Sequence, residues 1–106
     1  MDTKELKDWI VKYDVETNLN KYFKKAFNTY KNECKEEFNE KFPDFNIDAI
    51  SMHFSKAALT LIGWEELDQE SVTATSCLCY DEEMVGDYTL VFSLDGEVID
   101  DILFTY

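Results

Sequence analysis

Apolar residues fall at Leu6, Trp9, Ile10 and Tyr13, the i, i+3, i+4, i+7 spacing of one helical face, and Asp2 with Glu5 three residues on supplies an N-cap ahead of them. This predicts a short amphipathic helix. The phase fails after Asp14, where Glu16 and Thr17 occupy positions due to be apolar. A break or kink therefore belongs near residues 14 to 18, with Thr17 or Asn18 capping a second helix. From Leu19 onward Phe23, Ala26, Phe27, Tyr30, Cys34, Phe38 and Phe42 keep one stripe while lysines and glutamates clothe the rest, and Pro43 stops the run. One long helix is expected there, spanning roughly 35 Å. Cys34 sits on its apolar stripe as a small hydrophobe.

The period changes after Pro43. Ile50, Met52 and Phe54 alternate as in a strand, while Ile47, Ile50, Phe54, Ala57, Ala58, Leu61 and Ile62 also fit a helix closed by Gly63; one or two strands are the preferred reading of residues 47–62. Residues 72–80, 88–94 and 97–105 are rich in β-branched and aromatic side chains and read as strands. Leu94-Asp95-Gly96 makes a tight hairpin turn, because Asp-Gly tolerates positive φ, and the segment DEEMVGD reads as a longer, acidic hairpin loop. Helices first and a meander last predict an α+β fold. A short N-terminal helix and one long helix pack on an antiparallel β-meander sheet, as a single domain over residues 1–106. In the last strand Val98, Ile102 and Phe104 point one way and Ile99 and Leu103 the other, so neither face is cleanly polar; this favours a second packed surface, a partner interface or a homodimer.

Charge sharpens the picture. Residues 1–42 hold nine lysines and nine acids, whereas residues 43–106 hold Lys56 alone against fourteen acids, so the whole formal charge of −13 belongs to the second part. Such a field attracts cationic partners and repels nucleic acid and anionic membrane. Direct nucleic-acid binding is disfavoured. All ten basic residues are lysine, which weakens any reading built on bidentate phosphate recognition by arginine. The opening MDTKELKDWI mixes both charges before any apolar run and does not read as a signal peptide, and no window approaches the length of a membrane span. A cytoplasmic protein with three reduced cysteines is the expectation.

The chemistry-bearing residues form no familiar catalytic set. Cys77 and Cys79 share one strand face with Thr73 and Thr75, but their C-x-C spacing, with only Cys34 and His53 left over, does not select a zinc site. No C-x-x-C at a helix start depresses a thiol pKa. The acids Asp81, Glu82, Glu83 and Asp87 lack the alternation and closing glutamate of an EF-hand loop. His53, flanked by Ser51 and Ser55, has no nucleophile motif beside it, and Asp100 and Asp101 point to opposite faces of their strand. There is no GxSxG, phosphate-cradling glycine loop or HExxH. No enzyme, metal or cofactor is expected.

What remains is an extended set of carboxylates. Trp64, Glu65, Glu66, Asp68 and Glu70 form one cluster, Asp81, Glu82, Glu83 and Asp87 a second, and Asp95, Glu97, Asp100 and Asp101 a third. In a meander the clusters at 65–70 and 95–97 share one end, opposite 81–87. With Trp64, Tyr80 and Tyr88 exposed among them, they imitate the charge of a phosphate backbone. The preferred expectation is a non-enzymatic inhibitor that blocks a basic surface of a nuclease or nucleic-acid-binding protein, in the manner of a toxin immunity protein or a phage-type nuclease inhibitor. The alternative is a small cystatin-like or NTF2-like domain that binds a small ligand or homodimerises through its sheet.

Overall fold

The computed structural model describes residues 1–62 and 69–106. Three helices come first, α1 (Thr3–Lys12), α2 (Val15–Glu33) and α3 (Lys35–Lys41), then a 3-10 turn at Ile47–Ala49. Strands β1 (Ile50–Ile62), β2 (Gln69–Tyr80), β3 (Glu83–Ser93) and β4 (Val98–Thr105) follow and pair antiparallel in the order β1-β2-β3-β4. The expected α+β meander is what forms, and the ambiguous segment is one long edge strand from Ile50 on, after the 3-10 turn.

The carboxylate of Asp2 caps α1 by accepting from the Glu5 amide at 2.8 Å. The break falls at Asp14, whose φ of 51° no helix accommodates. Thr17 and Asn18 do not cap the second helix, which already begins at Val15 because Val15 and Leu19 are buried. Their side chains turn back instead: Thr17 Oγ1 donates to Asp14 Oδ1, and Asn18 Nδ2 donates to the Tyr13 and Asp14 carbonyls.

The single long helix is corrected to two. The chain bends at Cys34, which ends α2 and is exposed rather than part of the apolar stripe. In a straight helix Phe27 and Phe38, eleven residues apart, would be separated by about 16 Å. The bend brings their rings to 5.6 Å and closes a cluster with Tyr30, Phe42 and Phe45. Neither glycine nor proline marks the site. The aromatic packing it permits is the compensation.

All three helices lie on one face of the sheet. Trp9, Leu19, Phe23, Phe27, Phe38 and Phe42 meet Val72, Ala74, Leu78, Tyr88, Leu90 and Phe92 in one core. The indole of Trp9 donates to the Leu94 carbonyl, and the Tyr13 ring packs where a side chain at Gly96 would stand. Gly96, at φ 85°, takes the left-handed position of the four-residue β3–β4 connection, closed by its amide donating to the Ser93 carbonyl.

Two further expectations change. The β2–β3 connection is a two-residue turn, Asp81-Glu82, with φ of 55° and 69°, so Glu83 to Asp87 belong to β3 rather than to a long loop. A register shift opposite Val91 and Phe92 also inverts part of β4. Val98 faces the helices with Leu103, while Ile102 and Phe104 face away. One extra residue, Ile99, changes the parity of everything before it.

Candidate functional site

The helices leave the other face of the sheet without a covering layer, and strand parity decides what it displays. One cross-strand row contains His53, Cys77, Asp87 and Phe104, paired in register across all four strands. The next contains Lys56, Thr75, Thr89 and Ile102, with the Thr75 and Thr89 hydroxyls 2.9 Å apart. Towards the Asp81-Glu82 turn, Ser51, Cys79 and Met84 lie side by side. The expectation that Cys77, Cys79, Thr73 and Thr75 share a face holds.

An apolar strip crosses this face along β4. Ile102, Phe104, Tyr106 and Met84 are each at least half exposed, at 53, 55, 62 and 60%. The Phe104 and Tyr106 rings stand 5.7 Å apart, and the Tyr106 hydroxyl reaches the Met84 sulfur at 3.8 Å. Met84 and Tyr106 were not foreseen as part of it, although positions 102, 104 and 106 alternate and carried the signal. The exposed aromatics were instead expected at Tyr80 and Tyr88, and both sit on the helix-facing parity. Tyr88 is fully buried; Tyr80 stacks on Phe45 and accepts from the Asn46 amide.

The described carboxylates lie mainly at the two ends of the meander. Glu70, Asp95 and Glu97 lie at one end of the meander, and Asp81, Glu82 and Glu83 at the other, all exposed. Asp87 lies on the helix-free face beside Cys77, and Asp100 pairs with Val91. Asp101 is set apart, because it faces the helical side and accepts a 2.8 Å hydrogen bond from the Tyr88 hydroxyl. Trp64, Glu65, Glu66 and Asp68 lie outside the described residues. Among the described residues one ion pair is found, Lys41 to Glu37 within α3, so the acids of the sheet layer have no cationic partner of their own.

Burial, followed by the hydrogen bond to Asp101, raises the pKa of Tyr88 far above the usual tyrosine range. A phenol held neutral in the fold stabilises it fully below the ordinary tyrosine pKa of about 10, and that contribution falls as pH rises beyond it. Alkaline titration of unfolding free energy is expected to fall less steeply in Tyr88→Phe than in the wild type above that pH. Burial, then hydrogen bonding to Cys79 and the charges of Cys79 and Asp87, also raises the Cys77 thiol. Iodoacetamide at neutral pH should therefore modify exposed Cys34 well before half-buried Cys77, as peptide mass spectrometry would show.

Catalytic geometry is sparse. Ser51 Oγ lies 3.2 Å from His53 Nε2, but no hydrogen bond among the described residues orients the other ring nitrogen. Among the described residues no group of three or more histidine, cysteine and acidic side chains is placed to hold a metal ion. Cys34, at the α2–α3 bend, is far along the chain from the row that holds His53 and Cys77. No helix of the described residues is long and apolar enough to cross a membrane.

Fold and surface together define an α+β chain with a helical layer on one side of a meander and, on the other, a partly apolar face that carries Asp87, Asp100 and Lys56. No family model matches the chain, and no curated protein or solved structure matches it significantly.

Proposed function

We propose that this chain is a non-enzymatic cytoplasmic binding protein whose helix-free sheet face occupies a basic surface of a macromolecular partner, a nuclease or another nucleic-acid-binding protein. One observation carries the reading: the partition of charge along the chain is also a partition between layers. The helical layer is neutral, and among the described residues the strands and turns of the sheet hold nine acids against Lys56. The arrangement supports it, since an apolar strip with Asp87 beside it and further carboxylates at the ends of the meander combines the apolar and polar parts of a protein interface. Folding these acids together with Lys56 as the one cation of their segment costs free energy through self-repulsion, and a cationic partner relieves it.

Steered association is fast at low salt and slows steeply as salt rises. The test captures the partner from cells that naturally contain the protein and follows association by stopped flow. Between low and high salt the rate constant should fall by about tenfold or more. Asp87→Lys with Asp100→Lys should lower it further, while Glu36→Lys in α3 leaves it unchanged. A rate indifferent to salt and to the sheet substitutions removes the electrostatic basis of the reading. If the protein instead sediments as a dimer that Phe104→Asp dissociates, the strip belongs to self-association.

A further inference from the structure

The neutral balance of the helical half conceals a local excess. Between Thr17 and Asn32 there are four lysines, Lys21, Lys24, Lys25 and Lys31, and no acidic residue. All four line an open groove of about 710 Å3 between α2 and the start of β1. That volume is within the range of small-ligand sites. Phe23, Phe27, Phe45 and Met52 form its apolar side, and Ile47 stands at its lip with 66% of its surface exposed. Lys31 Nζ is 5.6 Å from the centre of the Phe45 ring, so a cation lies directly over the apolar wall. None of the four lysines has a carboxylate at ion-pair distance among the described residues.

An apolar wall under an uncompensated cationic rim matches a ligand with an apolar body and one acidic head. The rest of the chain restricts the size of that ligand. Ser51, at the sheet end of the groove, also borders a depression lined by Asp48, Asp81 and Glu82, and with screening lengths of about 8 Å at physiological salt an anion avoids those carboxylates only when it is compact and held at the lysine end. A polyanion running out of the groove would meet them. We propose that this groove binds a small anionic amphiphile, a free alkyl carboxylate of the fatty-acid type, with its chain along Phe45, Ile47 and Met52 and its carboxylate among Lys21, Lys24 and Lys31. The lysines and the apolar wall of this site lie on the helical side, and of its lining only Ser51 also borders the helix-free face.

The test uses decanoate below its micelle concentration, followed by amide chemical shifts of the intact protein. Saturable shifts are expected at Ile47, Ile50 and Met52. The Lys21→Glu, Lys24→Glu double variant, altered only at exposed helix positions, should bind about tenfold or more weakly with its melting temperature retained. Ile47→Asp, at an exposed lip, should weaken binding without unfolding the chain. Decyl maltoside, with the same tail and no charge, should not saturate the site. Equal binding of decyl maltoside, full affinity in the double variant, shifts confined to the helix-free sheet face, or no saturation by decanoate would each overturn the proposal.

Discussion

Phe27→Ala should lower the unfolding free energy by about 3–5 kcal/mol, the range for deleting a buried phenylalanine ring. Phe27 is 5% exposed and lies in the middle of the aromatic cluster, with the rings of Phe23, Tyr30, Phe38, Phe42 and Phe45 centred 5.2, 6.2, 5.6, 5.8 and 5.7 Å away. It is the residue through which α2 holds both α3 and the segment leading to the sheet. A small domain has only about 5–15 kcal/mol of stability in total, so the variant should lose much of its denaturant resistance. Within the native state, α3 amides should exchange faster than those of β2 and β3. Urea unfolding and hydrogen exchange measure both effects. A loss below about 1 kcal/mol would show that the ring cluster is not what secures the bend. Phe104→Ala makes the contrast. At 55% exposure its removal should alter stability by no more than about 0.5 kcal/mol, while weakening the proposed partner contact.

Gly86→Val should be nearly as damaging, by a different route. A Cβ at this position overlaps the carbonyl oxygen of Phe104 and comes within 3.1 Å of the Thr105 Cα. Both are backbone atoms of the neighbouring strand, so no side-chain rotation relieves the clash and β4 must move. Overpacking of this kind costs about 1–3 kcal/mol even where side chains absorb it, and about 3 kcal/mol or more is expected here. The Gly86 and Thr105 pairing and the Tyr106 amide bond to the Val85 carbonyl should be the first to open. Loss of protection at Thr105 and Tyr106, with a lower melting temperature, is the expected result; an unchanged melting temperature would mean that β4 has slack at this point. Because Phe104 and Tyr106 move with that end of β4, binding through the apolar strip should fall as well.

Much of the local structure was legible before any coordinates. Asp2 and Glu5 marked the first helix, and the turn at Leu94-Asp95-Gly96 followed from its glycine. The shared face of Cys77 and Cys79 followed from strand parity. The candidate surface was legible as charge but not as shape. Counting residues shows that the acids gather after Pro43, yet nothing in the count reveals that Asp101 turns to Tyr88 or that Tyr106 and Met84 extend the apolar strip. The lysine groove had a signal in the acid-free run from Thr17 to Asn32, which averaging over the first 42 residues hides.

The misread places share a cause. The bend at Cys34, the parity change at Ile99 and the two-residue turn at Asp81-Glu82 each oppose a local preference: a helical stripe that continues, an alternation that persists, and a residue type that avoids positive φ. Helix period, strand alternation and charge balance arise from residues within a few positions of one another, and the sequence alone determines them. Where α2 stops, which face of β4 carries Phe104, and which carboxylates stand on the helix-free side were decided by contacts between residues far apart in the chain. There the gain from closing an aromatic cluster or completing a strand ladder exceeds the roughly 1–3 kcal/mol that a local distortion costs.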